Sequence, residues 1–277
     1  MTDTVPAANP FASRLDEQKK RISDNLSMVK KVIAVGSGKG GVGKTFVAIN
    51  LAWTLARKGK KVGLLDADID CPNVFVALGI SDQLEASDEG KILPVPIDGI
   101  QVVSMAGLSE DPEQPRIWRG PMIGKAVSDF LSKVEWSELD VLIIDLPPGT
   151  SDAALTLMQS VDLAGFVIVS TNAPSAVLDA KKAFLMAKEM NKPVTGFVEN
   201  MRSDMFGREK VEDLAAEVGA PFLGAIELEK AVQQALEENR PVTAIDPKLR
   251  IAFESIAEKV WSELTVEDKR DENPHEE

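Results

Sequence analysis

Residues 36–45 read GSGKGGVGKT, and the span from Gly38 to Thr45 fits G-x-x-x-x-G-K-[ST]. Such a loop lets backbone N–H groups close around phosphate oxygens. Glycines are needed because side chains would block the close approach, and because some positions require positive φ. Lys44 is placed to reach β- and γ-phosphates, and Thr45 to set its hydroxyl on Mg2+. A helix opening here turns its positive end toward the anion. Gly36, Gly38 and Gly41 also satisfy G-x-G-x-x-G, and Asp66 could then act as the ribose carboxylate of a dinucleotide fold. That reading leaves Gly43-Lys44-Thr45 without a task, whereas a phosphate loop requires all three.

Two further segments carry carboxylates. DVLIID ends in Asp145, where a strand tip would bring a carboxylate to the Mg2+ shell. LPPGTSD follows, and Pro147, Pro148 and Gly149 form a stiff turn ending in a flexible point, suited to sensing a γ-phosphate. LLDADIDCPN (64–73) holds Asp66, Asp68, Asp70 and the only cysteine, Cys71. The sole histidine, His275, lies in the C-terminal tail, so that thiol has no evident base to activate it. A small packing residue is the expected role of Cys71, with a thiol near a dimer seam as the alternative.

Apolar, β-branched runs position these residues. They are KVIAVGS (31–37), KVGLLDA (61–67), IQVVSMA (100–106), DVLIIDL (140–146), AGFVIVS (164–170), PVTGFVE (193–199) and PFLGAIE (221–227). Helical patterns alternate with them at 12–29, 44–58, 122–134, 174–190, 208–218, 228–238 and 248–264. Strands apolar on both faces, interleaved with helices, imply an α/β fold with a parallel sheet covered by helices. Residues 80–98 read as a loop with a small ribbon. We expect a disordered N-terminus over 1–10, one domain with an N-terminal helix over 11–264, and a disordered acidic tail over 265–277.

Helix 248–264 carries an apolar stripe of Leu249, Phe253, Ile256, Ala257, Val260 and Leu264. Its other face bears Glu254, Glu258 and Glu263, with Lys259 as the nearby cation. A membrane-surface helix is usually basic there, so docking onto the domain's own core is expected.

The chain has 277 residues, 44% hydrophobic and 27% charged, enough for a sizeable core. One cysteine excludes an intramolecular disulfide and any multi-cysteine metal site within one chain, and fits a reducing, cytoplasmic compartment. No run of about 18 apolar residues is present, and the N-terminus lacks a signal-peptide pattern. A net charge of −13 argues against general binding to nucleic acid or to anionic membranes.

SGKGGVGKT, DADID, WRGPM (118–122), DLPPGTSD (145–152) and VENM (198–201) stand in the order found in one family. The chain resembles the Mrp/ApbC P-loop ATPases, relatives of the MinD/ParA ATPases and the nitrogenase iron protein. The resemblance implies a doubly wound, mostly parallel sheet of about seven or eight strands, a homodimer, ATP and Mg2+ as cofactors, and a nucleotide-driven carrier of iron–sulfur clusters. It makes the loop a deviant Walker A motif, with Gly38, Lys39, Gly40, Gly41, Val42, Gly43, Lys44, Thr45 and Phe46 around the phosphates and Asn200 reading adenine. Lys39 matches a signature lysine that reaches the partner subunit's nucleotide, and Asp68 matches the aspartate that positions the attacking water. Catalysis would thus rest on Lys39, Lys44 and Asp68. Thr45 would touch Mg2+, with Asp145 and Asp66 acting through water.

The departures are informative. Members usually read G-K-S-T, whereas Phe46 follows Thr45 here, so a hydroxyl for the α-phosphate is missing. Ile226-Glu227-Leu228 stands where I-P-L is common. After VENM, carriers place a C-x-x-C pair, and two subunits bridge a [4Fe–4S] cluster with four thiolates. This chain has MRSDMFGREK, where Asp204 and Glu209 are hard donors unsuited to that cluster. The expected function is therefore an ATP-driven adaptor in iron–sulfur assembly. It would serve client or assembly proteins as a homodimer, or as a heterodimer with a cysteine-bearing paralogue. A MinD/ParA-like positioning ATPase is the alternative. A scaffold with a decayed site is disfavoured, since Lys39, Lys44, Thr45, Asp68 and Asp145 are all present.

Overall fold

The structure is a computed structural model that describes residues 10–81, 83–108, 120–203, 205 and 210–272. In chain order the elements are α1 (Pro10–Asn25), β1 (Val32–Ser37), α2 (Lys44–Arg57), β2 (Val62–Asp66), α3 (Val74–Ala77), β3 (Val95–Ile97), β4 (Ile100–Ser104) and α4 (Gly120–Leu131). They continue with β5 (Val141–Asp145), α5 (Asp152–Ser160), β6 (Gly165–Ser170), α6 (Pro174–Glu189), β7 (Val194–Arg202), α7 (Val211–Val218), β8 (Phe222–Glu227), α8 (Ala231–Glu237) and α9 (Pro247–Glu272).

The eight strands form one sheet in the order β3-β4-β2-β5-β1-β6-β7-β8. Every neighbouring pair is parallel except β3 with β4, and of these two only β3 lies within the 80–98 stretch. All residues of β1, β2, β5 and β6 are buried, as apolar runs covered on both faces require. One face packs α2, α3 and α9 around Leu51, Phe75, Phe253 and Val260. The other packs α1 and α4 to α7 around Ile22, Phe130, Leu157, Phe184 and Leu214. This is the helix-covered parallel sheet that the alternation implied, in the doubly wound architecture that the resemblance implied. Its strands end together on one edge, and the order reverses at β1, where such folds bind ligands.

The apolar stripe of α9, from Leu249 to Leu264, is buried in the domain's own core. Among the described residues no helix is long and apolar enough to cross a membrane. The helix itself runs eight residues beyond its expected end at 264, into the stretch read as a disordered tail. The stripe stops at Leu264, but no glycine or proline follows until Pro274, so nothing in the backbone ends the helix there. At the other end, α1 begins at Pro10, the last residue of the stretch expected to lack structure. Residues 1–9 and 273–277 lie outside the described residues.

Candidate functional site

The strand order brings three chain segments together at the carboxyl edge. Asp145 ends β5 between β2 and β1, in register with Asp66 on one side and Val35 on the other. Its wholly buried carboxylate accepts Lys44 Nζ on Oδ1 at 2.5 Å and Thr45 Oγ1 on Oδ2 at 2.6 Å. Lys44 is itself only 7% exposed, so cation and carboxylate each compensate the other's loss of water.

The loop that carries Lys44 is fixed from three sides. Gly38 lies against α6 so closely that an added Cβ would stand 2.0 Å from the Asp179 carbonyl carbon. Gly149 N–H donates to the Ser37 carbonyl at 2.9 Å, tying the Pro-Pro-Gly turn to the end of β1. Asn200, buried near the end of β7, donates from Nδ2 to the Val42 carbonyl at 2.9 Å. Gly43 then takes φ 80° as the residue before α2, and no side chain caps that helix. The first N–H groups of α2 therefore face the loop's interior, the arrangement that receives an anion.

Asp66 is fully buried and accepts three donors: Val74 N–H at 3.0 Å, Ser104 Oγ at 2.9 Å and Asp68 N–H at 3.2 Å. Burial, reinforced by the charge of Asp145 beside it, pushes its carboxyl up to about 7. Burial also raises the Asp145 carboxyl, against the opposing pull of Lys44 and Thr45. Asp68 turns back on its own loop, accepting Asp70 N–H at 3.2 Å and Cys71 N–H at 3.1 Å.

Thr45, Asp145 and Asp66 make a set of hard oxygens that suits Mg2+. The uncapped α2 and the glycine cradle suit the phosphates of a nucleotide, because a Cβ at Gly43 would stand 2.2 Å from Asn200 Nδ2. A [4Fe–4S] cluster does not fit: the single cysteine of the chain is an exposed thiol on the Asp68 turn. A cavity of about 650 Å3 beside Ile22 and Lys30 opens at the starts of β1 and β6, away from this chemistry.

A family model described as ParA, the NUBPL iron-transfer P-loop NTPases, matches residues 28–261. The chain belongs to this family. An iron–sulfur cluster carrier protein of Methanocaldococcus jannaschii is 41% identical over 273 residues, spanning 93% of this chain and 94% of that protein. A solved nucleotide-binding protein of Archaeoglobus fulgidus in complex with ADP is 35% identical, with TM-score 0.70 over 82% of this chain and 94% of that one. The cell division ATPase MinD of Pyrococcus furiosus is 25% identical, with TM-score 0.66 over 84% of this chain and 99% of that one.

The fold brings Lys44, Thr45, Asp66, Asp68 and Asp145 to one strand edge, with Asn200 beneath the loop. Lys39 is elsewhere in this subunit's frame: its Nζ donates to Ser175 Oγ, at the first turn of α6, at 2.9 Å. The Phe46 ring packs edge-on to Phe253 of α9, with centroids 5.8 Å apart, while its backbone belongs to the first turn of α2. One expectation changes. Cys71 is exposed rather than packed, because Asp68 captures its N–H and holds it in a surface turn. Trp118, Arg119, Asp204, Glu209 and His275 lie outside the described residues. Ser104 and Ser175, both in contact with site residues, carry no motif; Ser104 lies inside the 100–106 run, and only the observed β4 ends there.

The raised Asp66 carboxyl sets a pH dependence. The folded chain keeps a proton that the unfolded chain releases near 3.8, so this stabilisation is complete below that value and is lost as pH rises through about 7. In metal-free, nucleotide-free buffer, the urea midpoint should therefore fall as pH rises from about 4 to about 7 and level off above that. Asp66→Asn should flatten that fall; a midpoint slope unchanged in the variant would remove Asp66 as its source.

Proposed function

We propose that this chain is an Mg2+-dependent ATPase that works as a dimeric, nucleotide-driven adaptor in iron–sulfur protein assembly in the cytoplasm. The observation that supports it best is the convergence of Lys44 and Thr45 on Asp145, which gathers the cation, the hydroxyl and the carboxylate of a phosphoryl-transfer site. The kinship to cluster carriers supports the biological setting. The positioning-ATPase alternative has the likeness to MinD behind it, at lower identity.

In the mechanism, Lys44 leaves Asp145 for the β- and γ-phosphate oxygens, and the N–H groups of the loop and of α2 hold the remaining phosphate oxygens. Thr45 Oγ1 would hold Mg2+ directly, and Asp145 and Asp66 would hold it through water. When bound there, Mg2+ would supply charge neutralisation for the phosphate oxygens. Asp68 gives up Cys71 N–H and orients the water that attacks the γ-phosphorus, whose bond to the bridging oxygen of ADP breaks. Lys39 leaves Ser175 and offers its charge to the nucleotide of the partner subunit, coupling hydrolysis to dimer closure. Asn200 holds the loop from below and presents the rest of its amide to the base. With one cysteine per chain, two subunits cannot supply the four thiolates of a bridged [4Fe–4S] cluster, so the cluster is handled by a client or a cysteine-bearing partner.

Lys44→Ala is expected to abolish nucleotide binding or turnover, whereas Lys39→Ala should bind ATP normally and lose hydrolysis. Isothermal titration and phosphate release check both, and normal hydrolysis by Lys39→Ala would show the lysine acting in no such way. Anaerobic reconstitution with iron and sulfide should leave the purified homodimer colourless. A stable brown [4Fe–4S] species on it would contradict the adaptor assignment.

A further inference from the structure

We infer that Ser104 is a positioning residue for the metal site: it fixes the Asp66 carboxylate so that one oxygen alone, Oδ1, is left to accept a metal-bound water. This rests on the Mg2+–ATP reading above.

Ser104 ends β4, as Asp66 ends β2 and Asp145 ends β5, and the sheet sets these strands side by side. The three tips therefore form a row across the carboxyl edge, with each of the three residues fully buried. An ionised carboxylate offers about four acceptor directions, two on each oxygen. On Asp66, Oδ2 has both filled, by Val74 N–H at 3.0 Å and by Ser104 Oγ at 2.9 Å. Oδ1 has one filled, by Asp68 N–H at 3.2 Å. The remaining acceptor direction belongs to Oδ1. Ser104 is held in its own turn, because its Oγ accepts Ala106 N–H at 3.2 Å while its proton goes to Asp66. The hydroxyl thus has a donor and an acceptor partner and a fixed direction, which a freely rotating serine lacks.

Removing the hydroxyl would free one Oδ2 position, so that the carboxylate could rotate or draw a water of its own. The consequence falls on the metal and not on the phosphates, because the Lys44 and loop contacts do not involve Ser104. A charge-assisted hydrogen bond of this type corresponds to roughly a five- to tenfold change in an equilibrium constant, or somewhat more.

The test is a Mg2+ titration of ATP binding by the full chain, with ATP affinity in excess EDTA as the control. In Ser104→Ala the half-saturating Mg2+ concentration should rise about five- to tenfold with the EDTA affinity unchanged, and Ser104→Thr should restore it. Because Ser104 acts through Asp66, Ser104→Ala should add nothing further on the background of Asp66→Asn. An unchanged Mg2+ requirement in Ser104→Ala, full additivity with Asp66→Asn, or an equal loss of affinity in EDTA would each overturn the inference. A wild-type chain that binds ATP with no dependence on Mg2+ would instead overturn the metal reading on which it rests.

Discussion

One buried carboxylate organises this site. Asp145 has no access to water, so its charge is tolerable only with a cation and donors at hand. Lys44 and Thr45 supply them, and to do so the first turn of α2 must stand over the end of β5. The strand order serves the same contact, since β5 lies between β1, which feeds the phosphate loop, and β2, which ends in Asp66. Glycines at Gly38 and Gly43 let the loop pass between α6 and Asn200, where any side chain would collide with its neighbours. Fold and site are thus two aspects of one electrostatic constraint.

The same contact explains how a nucleotide could act as a switch. Without one, Asp145 occupies both groups that would otherwise hold phosphate and metal. A nucleotide must replace two charge-assisted hydrogen bonds, roughly 1.5–3 kcal/mol each, and its phosphate charge is well able to do so. With Lys44 drawn to phosphate, as proposed, Asp145 and Asp66 would stand as adjacent buried carboxylates that a metal ion could compensate. That arrangement favours metal and nucleotide arriving together. It also reaches α3 and the Cys71 turn, because Asp66 and Asp68 hold their backbone N–H groups.

Much of this was legible in sequence because it is local. The phosphate loop is a contiguous motif, the strands are contiguous apolar runs, and Asp145 sits where such a run stops. The stripe of α9 named its own buried face before any packing was known. The features that escaped depend on distant parts of the chain. Phe46 turns inward because Phe253 waits across the core, and Lys39 meets a serine 136 residues away. Cys71 looked like a packing residue from its size, but it lies exposed in a turn where its N–H donates to Asp68. Ser104 has no motif at all, and its place beside Asp66 follows only from the pairing of β2 with β4. The end of α9 was misplaced because periodicity reports burial, while the helix continues as long as no residue breaks it.

The decisive observation would be a crystal structure of the chain with Mg2+ and a non-hydrolysable ATP analogue. Lys44 Nζ is expected to have left Asp145 for the phosphate oxygens, with Thr45 Oγ1 on the metal and Asp145 on a metal-bound water. A nucleotide bound while Lys44 keeps its 2.5 Å contact with Asp145, or bound away from residues 38–45, would contradict the role given to this carboxylate.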